Sequence, residues 1–166
     1  MGTRSITTVR SRWVDERQEE PEELSPHAHI YRHWDGYLDG HGQWLADFLE
    51  GFKVGNGGLI GDAKGDPKYS NGPGQLTSML ISKLHVDGHE PDIQGGEECP
   101  EMGQEFHYVI DVDFGMRGGV ITVTVFEGPM TFFGAGGDEC NEQVFRGSVE
   151  EYLEWLPKQN LAEDAA

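Results

Sequence analysis

Apolar and β-branched residues dominate positions 3–13 (TRSITTVRSRW) without a helical period, which predicts a first strand. A second strand is predicted over 27–34 (HAHIYRHW), the hairpin partner of the first across an exposed acidic loop, 14–26. Beyond it the period lengthens. Over 41–52, Trp44, Leu45, Phe48, Leu49 and Phe52 fall on one helical face, with Asp39 placed to cap the helix. The Gly-rich passage 54–74 reads as loop or lid. A second helix is predicted over 73–86, with Leu76, Met79, Leu80 and Leu84 as its buried stripe and Gly88 to end it. An irregular segment, 87–104, precedes a hairpin. In 105–114, Phe106, Tyr108, Ile110, Val112 and Phe114 alternate with His107, Asp111 and Asp113, and 120–127 (VITVTVFE) returns across the turn Met116–Gly119. A last helix starts at Ser148, where Ser-Val-Glu-Glu is a capping box; it buries Val149, Tyr152, Leu153 and Leu156 and should stop before Pro157.

The order ββαα-ββ(β)-α predicts an α+β fold: one domain over 1–157, a mainly antiparallel sheet, about three helices on one face, and a frayed tail, 158–166. At 166 residues, such a chain buries roughly two-thirds of its unfolded surface. Its four Trp, five Tyr and eight Phe supply the large apolar units that a disordered chain lacks. Apolar runs are only a few residues long, so no membrane span is expected. No charged-then-apolar leader opens the chain, and Ile6 stands where a myristoylation signal needs Ser or Thr. The expected location is the cytoplasm, where Cys99 and Cys140 would be reduced thiols.

Charge sharpens this picture. Thirty acids against 12 bases give −18, which disfavours direct binding to nucleic acid or to an anionic membrane. Against that background, Arg4, Arg10 and Arg12 cluster in an N-terminal stretch that has no acid.

The densest chemistry lies in 31–42, where Tyr31, Arg32, His33, Trp34, Asp35, Tyr37, Asp39 and His41 meet at a strand-to-helix junction. Arg32 shares strand parity with Ala28, Ile30 and Trp34 and should point to the apolar side. A buried arginine needs a partner, either an internal carboxylate such as Asp35 or a ligand's phosphate or carboxylate. With Arg4, Tyr31, Trp34, Asp35, Tyr37 and His41, it outlines a pocket for a nucleotide-like anion, in which rings stack a base and guanidinium forks hold phosphate.

Other groupings are weaker. His27, His29 and His33 could share a strand face, but no cysteine pair or regular ligand spacing supports zinc, and no metal or cofactor is expected. His85-Val-Asp-Gly-His89 reads as a helix terminus, and Asp111 with Asp113 as a solvated sheet face. Asn56-Gly57-Gly58 and Gly134–Gly137 lack a phosphate-loop Lys-Ser/Thr, and neither cysteine has an evident base beside it.

The opening Met-Gly-Thr-Arg-Ser, the run Tyr31-Arg32-x-Trp34-Asp35-Gly36-Tyr37-x-x-Gly40-His41-Gly42 and the helix Leu45-Ala46-x-Phe48-Leu49 resemble a family of small proteins encoded in tailed-phage genomes and prophages. The likeness is strong over about the first 50 residues and looser through the second helix and Val144–Ser148. Relative to that family the chain adds the acidic stretch after its first strand and a Cys-containing Gly-rich segment before the hairpin. The resemblance implies an accessory phage role in the host cytoplasm and carries no catalytic residue with it.

Three functions are therefore expected in order: sequestration of a nucleotide-like anion, in a counter-defence role; masking of a basic nucleic-acid-binding surface on a host protein by the acidic chain; and cleavage of a nucleotide or glycosidic bond, with Asp35 or His41 as acid/base. A homo-oligomer is compatible with each.

Overall fold

The computed structural model describes residues 2–15, 17, 20, 22–56, 66–99, 102–128 and 142–163, with the main chain alone over 160–163. Parts of the acidic loop, residues 57–65 of the Gly-rich passage, Gly134–Gly137, Cys140 and the last three residues lie outside that set.

An α+β domain is observed. Its sheet runs β4(Tyr69–Asn71), β3(Lys53–Gly55), β7(Gly118–Glu127), β6(Phe106–Gly115), β1(Ser5–Trp13), β2(Ser25–Arg32) and β5(Asp92–Gln94), and β8(Glu142–Ser148) also pairs with β7. The two expected hairpins form, β1 with β2 and β6 with β7. What joins them is a parallel ladder between β1 and β6, from Ser5↔Phe106 to Trp13↔Phe114. The first strand is thus central, paired on both edges.

Alternation along β1 sorts the molecule into two sides. Ser5, Thr7 and Val9 face the helices, as do Ala28, Ile30 and Arg32 of β2 and Tyr108, Ile110 and Val112 of β6. On that side α1(Gln43–Leu49), α2(Pro73–Val86) and α3(Val149–Glu163) close the core through Leu45, Leu49, Leu76, Leu80, Leu84, Tyr152 and Leu156. Ile6, Thr8, Arg10 and Arg12 point to the opposite side, with His29, His107, Asp111 and Asp113.

Several local expectations need correction. The passage 54–74 contains β3 and β4, two short parallel strands, and 87–104 contains β5, which extends the β2 edge. Asp39 does not cap α1: a π-helical turn, Leu38–Gly42, leads straight into it and places Asp39 within its own first turn, with no side-chain cap bond. The last helix does not stop before Pro157 but continues to Glu163. An interior proline loses one helical N–H and crowds the carbonyl one turn back, and Pro157 is nevertheless held within the helix. Met79 packs at the margin of the core, while Leu76, Leu80 and Leu84 are fully buried.

The helix signals that were correct are local ones. Pro73 occupies the first turn of α2, where its missing N–H costs nothing, and Gly88 at φ +82° follows its end. At α3 the Ser148 N–H donates to Glu151 Oε2 (2.7 Å) and the Glu151 N–H to Ser148 Oγ (3.2 Å). Among the described residues no helix is long and apolar enough to cross a membrane.

Replacing Ser148 with Ala removes one half of this capping box and should lower unfolding stability by about 1 kcal/mol. Urea denaturation of the two proteins measures the difference, and equal midpoints would show that α3 is held by its packing alone.

Candidate functional site

The strand-to-helix junction is built by close backbone approach. The Gly36 N–H donates to the Thr3 carbonyl (2.9 Å), and a Cβ at Gly36 would stand 2.7 Å from the Arg4 carbonyl carbon and 2.8 Å from Ser5 N. Asp35, at φ +56°, turns the chain away from β2, and its carbonyl accepts the His41 N–H at 2.8 Å. Tyr108 and Tyr152 donate their hydroxyls to the carbonyls of Gly36 (2.9 Å) and Gly42 (3.1 Å), clamping both ends of the turn to the core. A Cβ at Gly42 would press on both of those hydroxyls at 3.2 Å. Burial pushes the ionisation of both phenols upward, so each stays a donor.

This turn delivers His41 to the interior beside Arg32. Arg32 is 5% exposed and His41 wholly buried. Arg32 Nη1 donates to His41 Nδ1 (2.5 Å) and Nη2 to His89 Nδ1 (2.8 Å), while His41 Nε2 lies 2.6 Å from Thr7 Oγ1. A guanidinium has only donors, so His41 Nδ1 must accept and the ring proton sits on Nε2, directed at Thr7. His41 cannot then draw a proton from the Thr7 hydroxyl. Burial and the adjacent Arg32 charge hold the His41 pKa well below the ordinary imidazole range. His89 is lowered by the same causes in the same order. Arg32 is pulled down by burial, against the opposing charge of Asp35.

Of the expected pocket residues, only His41 joins Arg32 by a hydrogen bond. The expected Arg32–Asp35 pair does not form: Asp35 is exposed and accepts the Tyr37 hydroxyl at 3.2 Å. Tyr31, one residue before Arg32, lies across the sheet from it, bonded to His33 Nδ1 (3.0 Å). Arg4 goes with Tyr31: its guanidinium borders Gly103, and its charge acts on the Tyr31 phenol. Trp34 lies past the end of β2, 60% exposed, with its ring over Gly2 and edge-on to His33. Strand parity failed there because the strand ends at Arg32.

Two residues missing from the expected pocket complete the cluster. His89 lies just past the stop of α2, with its N–H bonded to the Leu84 carbonyl (3.0 Å). Trp44 stacks on His41 (centroids 5.7 Å, 12° between planes), and its edge meets His89 at 6.0 Å. The outer side of Trp44 lines a cleft of about 650 Å³ between α1 and α2, with Phe48, Met79 and Val86 as apolar walls and Lys68 and Lys83 as cations. Trp44 Nε1 donates to Asp87 Oδ2 (2.7 Å), and Lys83 pairs with Asp87 Oδ1 (2.5 Å). Lys68 Nζ caps the carbonyls of Asp47 (2.5 Å) and Phe48 (2.9 Å).

On the opposite sheet face the charges are matched in pairs. Arg10 holds Asp111 through two bonds (2.7 and 2.8 Å), and Arg12 holds Asp113 likewise (2.6 and 3.0 Å). Asp111 and Asp113 are thus anchored by arginines, not merely solvated. Beside them Thr8 Oγ1 contacts His29 Nδ1 (2.9 Å) and His107 Nε2 (2.8 Å), with Cys99 Sγ at 3.7 Å from His107 Nε2. His27 falls at the register shift between β1 and β2 and bonds Ser11 instead (2.8 Å), and His33 lies beyond the strand. Among the described residues no group of three or more His, Cys, Asp or Glu is placed to hold a metal ion.

No protein-family model, curated protein or solved structure matches the chain.

Burial lowers His107 from 6.5 to about 4, and His41 is lowered too. Both rings are neutral in the fold but take protons readily in the unfolded chain. Their stabilisation is full above pH 6.5 and drains away as pH falls toward the folded pKa values. Each ring should contribute a slope of about 1.4 kcal/mol per pH unit below pH 6. Urea midpoints at pH 7, 6 and 5 measure this, and a flat profile would contradict neutral buried imidazoles.

Proposed function

We propose that this protein is a phage accessory protein that captures a nucleotide-like anionic small molecule by binding, without turning it over. One observation carries the reading: Arg32 is a buried cation whose only described hydrogen-bond partners are two imidazoles, and no described carboxylate forms an ion pair with it. In a chain of charge −18, an arginine without such a carboxylate retains its attraction for an external anion. The aromatic-walled cleft supports the nucleotide-like part. Its volume lies within the range of small-molecule sites, and Trp44 is shared between it and the Arg32 cluster. A ring in the cleft would lie one side-chain layer from the guanidinium. Sequestration is favoured over catalysis because both nitrogens of His41 are occupied and Asp35 points to solvent.

A thermal-shift screen of linear and cyclic nucleotides tests this. Ligand at a hundred times its Kd adds about 2.7 kcal/mol, a rise of several degrees for a chain of this size. Trp44→Ala should reduce the rise, and Arg32→Ala should abolish it. A flat panel, together with salt-sensitive capture of a basic host protein, would replace the reading with surface masking.

A further inference from the structure

Among the described residues, Arg32 uses two of its five N–H groups, on His41 and His89. Its Cα partner in the β1–β2 register is Ser5, so the two side chains stand side by side on the helix-covered face, with Cβ atoms about 5 Å apart. Ser5 is fully buried, and its Oγ has no hydrogen-bond partner among the described residues. An unsatisfied buried hydroxyl is rarely kept, since leaving it unpaired costs stability. Packing explains its position but not its chemistry. Gly36 closes so tightly over this strand that a Cβ there would stand 2.9 Å from Ser5 Cβ, a space in which alanine would pack as well as serine.

We infer that Ser5 and Arg32 together form the seat for one phosphoryl group of the ligand. The Ser5 hydroxyl donates to one oxygen, and the remaining guanidinium N–H groups donate to the others. This deepens the anion-binding reading and rests on it. Phosphoryl is the class that fits, because a hydroxyl and a guanidinium on adjacent strands offer donors to more than the two oxygens of a carboxylate. The approach is from the side of His89, which is partly exposed and is the outer of the two imidazoles on Arg32. His41 behind it is sealed. The seat contains no base and no nucleophile in a reactive state, consistent with holding the group intact.

The test is an NMR titration of the ¹⁵N-labelled full chain with inorganic phosphate, AMP and adenosine, against potassium chloride at matched ionic strength. Phosphate and AMP should move the Arg32 Nε–Hε signal and the Ser5 and Gly36 amides, whereas adenosine and chloride should not. Ser5→Ala should weaken phosphate and AMP roughly tenfold. Its unliganded melting temperature should hold or rise, since the change deletes a hydroxyl that has no partner. Undiminished affinity in Ser5→Ala would overturn the seat while leaving the binding reading in place. So would AMP shifts confined to Trp44 and Phe48. Absence of any response to phosphate or AMP at Arg32, with a flat nucleotide panel, would remove both.

Discussion

The ladder between β1 and β6 organises the molecule, because it commits every residue of the first strand to one of two environments. Ser5, Thr7 and Val9 go to the helix-covered core, and Thr8, Arg10 and Arg12 to the other face. A slip of one residue would exchange those sets and drive two arginines into the apolar side. Arg10 opposite Asp111 and Arg12 opposite Asp113 make the correct alignment the one in which four charges are satisfied together. The Arg12–Asp113 pair, partly exposed on both sides, adds little net stability, and the Arg10–Asp111 pair offsets the cost of burying Asp111. Their larger effect is to penalise the wrong alignment.

The Arg32 cluster inherits its geometry from that ladder. β2 is registered on β1, which puts Arg32 beside Ser5 and within one turn of the helix entry that carries His41. A guanidinium in the interior would ordinarily recruit a carboxylate. Here two neutral imidazoles serve as acceptors, which leaves the positive charge in place instead of cancelling it. The same bonds determine the protonation of His41 and, through Thr7, tie the turn back to β1. Cation, tautomer and backbone turn form one mechanical unit.

Much of this was legible in the sequence where the cause is local. The capping box at Ser148, the glycine after α2, the turn between β6 and β7, and the inward direction of Arg32 each depend on residues a few positions apart. Pairing across long separations was not. Alternation reveals which way a side chain faces but not which strand lies beside it, so the parallel β1–β6 contact was hidden. Its one trace was the matched spacing of Arg10 and Arg12 with Asp111 and Asp113. His89 was dismissed as part of a helix terminus, which it is, because its partner lies 57 positions away in sequence. Trp34 was placed inside by extending the parity of β2 past Arg32, where the strand ends.

The central position of β1 also bears on how the chain is assembled. Its hairpin with β2 can close as soon as residue 32 has been synthesised, but its other edge waits for β6, some hundred residues on in sequence. Contacts this distant slow folding, because the long intervening loop must close before they form. In that interval a strand rich in β-branched residues presents an open row of amides and carbonyls, the condition under which strands of different chains join edge to edge. Arg10 and Arg12, still without Asp111 and Asp113, lie on that unpaired strand. Their uncompensated charge makes two nascent copies repel, and it is neutralised only when the correct partner arrives.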